Sequence, residues 1–269
     1  MIKKIKEGIS SSKVFLRLFG YKNFRALVGS GLEFEILENV PQEKVLIIAP
    51  HPDDDVIGCG GAIIQHVQQE DEVAIIYLSD GSLGFPQGVR PSASERAEMA
   101  KKREAEATKA AKIMGVKNIN FWRFKDGAIQ TNKTTIKLLE NLLLSYKPDI
   151  IYCPFPLDDH PDHIEAGKML YEALRITDSQ ARICCYEVWM PLVANKILKI
   201  DQQAQKKFEA LGKHESQLAS RNYVEAIRGL NKYRAGMYAC GDYAEAYFCS
   251  SANYFLKIFF QIKSMNRIK

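Results

Sequence analysis

The pattern of apolar and polar positions changes character near residue 43. From there on, short and nearly continuous apolar runs alternate with longer stretches of helical spacing. Residues 44–49 read Lys-Val-Leu-Ile-Ile-Ala and 73–78 read Val-Ala-Ile-Ile-Tyr-Leu. Uninterrupted runs of that length suit parallel strands covered on both faces. Residues 118–122, 149–153 and 183–188 are further predicted strands. A helical stretch ends near Gln69, and a long helix is predicted from Ser92, three residues before Glu95 as in a capping box. It runs to Met114, with Gly115 as its stop. Another starts at Thr131 or Asn132 and ends before Pro148. Helices are also predicted after His163 to about Leu174, over 201–211 and over 222–239. Alternation with short connections predicts one doubly wound α/β domain over 43–250. Residues 1–42 read as an added element and 251–269 as a basic, aromatic tail.

Composition narrows the picture little, but the placement of charge does more. Of 269 residues, 46% are hydrophobic and 26% charged, as in an ordinary globular protein. The formal net charge is +5. Residues 1–20 hold five basic side chains against Glu7, and the tail from Lys257 holds four against none, so each end carries +4 and the body −3. Basic ends on a mildly acidic body argue against nucleic acid as a partner. The ends also carry apolar side chains, including Phe15, Leu16, Phe19, Phe255, Phe259 and Phe260. Such segments either pack on the domain or rest on an anionic membrane surface. No run reaches the 18 apolar residues of a spanning helix, and no signal peptide is evident, which predicts a cytoplasmic protein. The six cysteines form no C-x-x-C pair and are read as free thiols.

Candidate chemistry concentrates in two loops. Only five histidines occur, and three of them follow predicted strands: Pro50-His51-Pro52-Asp53-Asp54-Asp55 and His160-Pro161-Asp162-His163. Open α/β sheets bind ligands at the carboxyl ends of their strands. His51 and Asp54 supply imidazole and carboxylate from one turn, and His163 completes a three-ligand zinc set that leaves a position open. Asp53, between them, is placed to act as general base on a water. His160 is placed to stabilise an oxyanion or protonate a leaving amine, with Asp162 orienting it. Asp55 is read as a helix-terminus or supporting group and Cys59 as packing. Gly58-Cys59-Gly60-Gly61 is not a nucleotide fingerprint; its glycines let the helix approach the loop closely. The turn at 79–82 either binds a hydroxyl-rich ligand through Asp80 or is simply tight. No G-x-S-x-G elbow suggests a serine hydrolase.

The segment from Ala49 to Asp55 and the His160–His163 motif resemble the LmbE-like, or PIG-L, family of zinc-dependent N-acetylglucosamine deacetylases. Weaker matches are Arg103 with Glu106, Asp126-Gly127, Lys207, Ser216-Gln217 and residues 243–248, so the resemblance spans about 43–250. Arg103 alone is read as a packed surface side chain. Asp55 stands where the family has glutamate, and a proline is added before His51. The resemblance implies a Rossmann-like, mostly parallel sheet flanked by helices as a three-layer sandwich. It implies His51, Asp54 and His163 as metal ligands, Asp53 as base, and His160 with Asp162 at the oxyanion. The metal implied is zinc, with iron or another divalent ion as alternatives, and the substrate an N-acetyl-amino-sugar conjugate, soluble, lipid-linked or phosphate-bearing. Amidase action on another acylamino conjugate and sugar binding without turnover are the rival readings. Peripheral contact with the cytoplasmic membrane face and a homo-oligomer are both compatible with the sequence.

Overall fold

Three strands at the centre are buried along their whole lengths: β2 (Val45–Ala49), β3 (Val73–Ser79) and β5 (Ile150–Pro154). The computed structural model describes residues 32–265 apart from Gln87. Together with β1 (Glu35–Leu37), β4 (Asn118–Phe124), β6 (Arg182–Tyr186), β7 (Lys196–Lys199) and β8 (Ala244–Ser251), these strands form one sheet. Its order is β1-β7-β8-β6-β5-β2-β3-β4. Only β8 runs antiparallel to its neighbours, β6 and β7.

Successive side chains of a strand point to opposite faces, and β2 shows the result. Leu46 and Ile48 enter one apolar layer with Leu139, Leu143, Met169 and Phe255, whereas Val45 and Ile47 enter the other with Ile63, Ala107 and Phe208. Helices α3 (Lys133–Tyr146), α4 (Pro161–Thr177) and α8 (Ala252–Met265) thus cover the first face. Helices α1 (Asp54–Gln68), α2 (Ala93–Met114) and α5 (Asp201–Leu211) cover the second. The short α6 (Glu215–Leu218) and α7 (Tyr223–Tyr238) follow. This is the expected three-layer α/β sandwich. Each fully buried Leu, Ile or Val contributes roughly 1.5–3 kcal/mol, so sheet and helices hold each other.

The helix ends obey their local chemistry. The Ser92 side chain accepts from the Glu95 backbone and Glu95 reaches back, a complete capping box. Gly115 closes α2 in the left-handed region at φ 94. Asn132 caps α3 in the same reciprocal manner through Thr135.

Three details differ from the sequence expectations. Strands β7 and β8 were not foreseen. The sixth strand ends at Tyr186 because the Glu187 carboxylate turns to Arg234 and to the Leu192 backbone. The cysteines are not all free: β8 lies antiparallel to β6 with Cys249 opposite Cys184, and the two form a disulfide. Cys59, Cys153, Cys185 and Cys240 are free and buried. Residues 1–31 of the amino-terminal element lie outside the described residues; after them, β1 joins the sheet edge parallel to β7. In the tail, Phe255, Ile258, Phe259 and Ile262 of α8 are buried in the core. Among the described residues no helix is long and apolar enough to cross a membrane.

Candidate metal centre

The strand order reverses between β2 and β5, and both histidine loops leave the sheet there. Such switch points open a crevice beyond the strand ends. After β2 the chain turns tightly, with the Asp53 and Asp54 amides donating to the His51 carbonyl at 2.9 and 3.3 Å. Asp54 Oδ2 accepts from the His51 amide at 2.8 Å and starts α1. After β5, His160 caps α4 with Pro161 at its first position, and His163 follows on the first turn.

Three donor atoms converge. Asp54 Oδ2 lies 3.0 Å from His51 Nδ1 and 3.1 Å from His163 Nε2, and the two nitrogens are 3.2 Å apart. Bonds of about 2.0–2.2 Å to a tetrahedral ion separate its donors by roughly 3.3–3.6 Å. A divalent cation therefore fits with slight outward relaxation. The far nitrogen of each of these imidazoles faces carboxylate. His51 Nε2 is 3.3 Å from both Asp126 Oδ1 and Asp162 Oδ2, and His163 Nδ1 is 3.2 Å from Asp158 Oδ1. Outer carboxylates of this kind fix ring orientation and tautomer at metal sites.

The electrostatics point the same way. Burial opposes charge on His51 and His163, but Asp54 and the flanking carboxylates override it. His51 is held well above its ordinary range and His163 is raised to about 9. Burial pushes the Asp126 carboxyl up, yet the His51 hydrogen bond and charge bring it down to about 2. Burial likewise opposes the charge of Asp54, and the two imidazoles hold it well below the usual range. The cluster draws positive charge inward, the demand that a divalent ion satisfies.

The other expected residues fall around this triangle. Asp53 is 7% exposed and lines the pocket, with Arg103 Nη2 donating to its Oδ1 at 2.9 Å. Arg103, 4% exposed, is thus no surface side chain; its second nitrogen donates to the Gly81 carbonyl at 3.2 Å. His160 stands edge-on to His51, with ring centroids 4.5 Å apart. Its Nδ1 accepts the Asp162 amide at 3.2 Å, so the neutral ring carries its proton on Nε2. Burial and the neighbouring His51 and His163 charges lower its pKa.

Asp162 departs from its expected place. Its carboxylate does not pair with His160 but accepts the Gly127 and Ile129 amides at 2.8 and 3.2 Å and faces His51. As the second residue of α4, it points back across the crevice toward the 126–129 turn. Asp80 Oδ1 accepts the Ser82 and Asp126 amides at 2.9 and 3.3 Å, which ties 79–82 as a tight turn to the 126–129 turn. Asp55 is fully buried, accepts the Tyr77 hydroxyl at 2.8 Å, and is raised by that burial to about 7.

Behind the donor triangle, α1 is broken at Cys59, where φ is −144° and ψ 24°. Lys207 Nζ donates to the freed Ile57 carbonyl at 3.0 Å and to Glu245 at 2.7 Å. Glu245 accepts the Gly61 and Ala62 amides at 2.7 and 2.9 Å and the Tyr247 hydroxyl at 2.5 Å. The glycines allow this approach: a Cβ on Gly61 would sit 2.5 Å from Ile200, and one on Gly58 2.1 Å from Tyr186.

Sequence reasoning gave Asp158, Asp126 and Glu245 no role in the site. The resemblance marks Asp126 and the 243–248 segment without a role, and Asp158 is one more aspartate in a loop; only their convergence gives the three a place. The pocket over the site has a volume of about 660 Å³, within the range of small-molecule sites.

A family model described as PIG-L: GlcNAc-PI de-N-acetylase matches residues 46–174, which include both histidine loops. The diacetylchitobiose deacetylase of Thermococcus kodakarensis is 35% identical over 155 residues, 56% of this chain and 56% of that protein. The probable N-acetyl-alpha-D-glucosaminyl L-malate deacetylase 2 of Bacillus anthracis is 27% identical over 193 residues, 67% of this chain and 84% of that protein. This chain thus spans little more than half the length of the first relative. In fold, it is similar to the N,N'-diacetylchitobiose deacetylase of Pyrococcus horikoshii. The TM-score is 0.71 and the identity 24%, over 87% of this chain and 94% of that one.

Proposed function

Because the chain belongs to the PIG-L, or LmbE-like, family, we propose that it is a zinc-dependent hydrolase removing an N-acetyl group from an amino-sugar conjugate. The observation that carries this reading is Asp53, a carboxylate held by Arg103 beside the donor triangle but outside it. His51, Asp54 and His163 would hold the ion, which would supply Lewis acidity toward the acetamide oxygen and acidify a water. Asp53 takes the proton of that water as its oxygen attacks the acetyl carbon. His160 Nε2–H donates to the oxygen that becomes negative. The carbon–nitrogen bond then breaks, Asp53 returns the proton to nitrogen, and acetate and a free amine leave. Arg103 keeps Asp53 aimed; Asp126, Asp162 and Asp158 keep the ligand imidazoles turned inward.

The relatives named above are deacetylases of acetylamino-sugar compounds, which supports the choice of bond. The test is acetate release from soluble and lipid-linked N-acetylglucosamine conjugates by zinc-loaded protein. Asp53→Asn is expected to lower turnover about 10²–10⁴-fold while retaining metal and melting temperature. Unchanged turnover in that variant removes the proposed base. Release of a larger acid instead of acetate turns the reading to amidase action.

A further inference from the structure

Away from the carboxylates, the pocket mouth has the opposite character. Trp189 lines it with 43% of its surface exposed, an unusual position for the largest apolar side chain. Its ring lies 6.4 Å from that of His160 at an interplanar angle of 24°. Tyr223 meets the indole edge-on at 6.5 Å, and the Arg221 guanidinium lies 4.9 Å from its ring centre. The Trp189 amide donates to Asp158 Oδ2 at 3.0 Å, on the same carboxylate that faces the His163 ring. The mouth is therefore tied to the metal loop by one side chain.

Arg221 lines the pocket, and none of the ion pairs among the described residues involves it. Arg103, the other arginine lining the pocket, is taken by Asp53. Arg221 also interacts with the Tyr223 hydroxyl, which leaves donors of its five N–H groups for a ligand. It stands where the chain enters α7, whose amino end adds partial positive charge. Glu225, the acid of that first turn, is turned to Arg228 at 3.2 Å. The two ends of the pocket thus differ in charge: Asp53, Asp54 and Asp126 line its floor, and a guanidinium in no ion pair among the described residues lines its mouth on an aromatic platform.

We propose that Trp189, Arg221 and Tyr223 form a subsite for the group attached to the amino sugar, and that this group carries a phosphate or carboxylate. The proposal rests on the deacetylase reading for the identity of the bond cleaved. The acidic floor repels an anion and the mouth attracts one, so a charged conjugate binds in a single direction, with its acetamide inward. Arg221 offers the planar fork that carboxylate and phosphate oxygens fit.

The test compares three N-acetylglucosamine glycosides that differ only in the aglycone: neutral alkyl, the same chain ending in carboxylate, and the same chain ending in phosphate. Zinc-loaded wild type is expected to favour the anionic pair by about tenfold or more in kcat/KM, as a charge-assisted hydrogen bond provides. The preference should lie in KM and shrink with added salt. Arg221→Gln should collapse the ratio of anionic to neutral toward one, and Arg221→Lys should restore part of it. The better of the two anions identifies the source of charge. Equal kcat/KM on charged and neutral glycosides overturns the subsite, as does an Arg221→Gln variant that keeps the preference. Quenching of Trp189 fluorescence in a Trp122→Phe background reports binding without turnover. An Arg221-dependent preference seen there with no acetate released supports the subsite and counts against the deacetylase reading. No preference in either readout defeats the subsite alone.

Discussion

Helix α1 carries two buried charge clusters, and they are built by opposite rules. At its break, Lys207 and Glu245 are 0% and 1% exposed, and between them they satisfy a carbonyl, two amides and a hydroxyl. One cation meets one anion and little is left over. At its amino end, Asp53, Asp54, Asp126, Asp158 and Asp162 crowd around three imidazoles, with Arg103 the one guanidinium bonded to them among the described residues. Buried charge that is fully matched holds the backbone; buried charge left in excess of one sign waits for a ligand.

The contrast is sharpest if the matched cluster is broken. Glu245→Ala strands the Lys207 ammonium and two amides, and is expected to cost about 3–5 kcal/mol in urea unfolding. Adding Lys207→Met should recover part of that loss, because no buried charge then remains unpaired. A loss below 1 kcal/mol for Glu245→Ala would erase the distinction. A smaller effect is expected from the unmatched cluster. Stripping metal with a chelator should lower stability, and zinc at a hundred times its dissociation constant should restore about 2.7 kcal/mol. Asp54→Ala should abolish that response, whereas Lys207→Met should retain it.

The smallest effect concerns the far end of the same helix. His66 is buried, 2.6 Å from Asp71 and 3.1 Å from the Tyr152 hydroxyl. Burial lowers its pKa, with Asp71 opposing. The unfolded chain therefore takes up this proton first. Stability should decline as pH falls below about 6.5 and level off beneath the folded pKa. Unfolding of metal-loaded protein between pH 7.5 and 5 should show a shallower decline in His66→Gln. An identical slope would remove His66 from the account.

The central strands and the helix ends were legible because single local signals decide them. Four uninterrupted apolar residues, Val45 to Ile48, allow little but a buried strand, and Ser92 with Glu95 or Gly115 fixes a helix end. Strands β7 and β8 were not legible. Lys196-Ile197-Leu198-Lys199 is short and polar at both ends, and β8 mixes Glu245 and serines with its aromatics. Their extended form comes from pairing at the sheet edge, a context that propensity does not carry. The disulfide was missed for the same reason, since only the antiparallel register of β8 brings Cys249 to Cys184. In the site, the three rare histidines announced themselves. Arg103 stood out only as a weak family match, because its burial depends on where α2 crosses the Asp53 loop, and Asp162 was matched with His160, two residues before it, when its carboxylate crosses to His51.

The separation of the two histidine loops has a consequence for how the protein comes into being. His51 and His163 are 112 positions apart, yet their ring nitrogens nearly touch. No local segment holds the whole triangle, so a chain still emerging from the ribosome presents at most two of its three donors until β5 has docked against β2. An ion held by the triangle would therefore be captured late in biogenesis, once the two halves of the sheet have found each other.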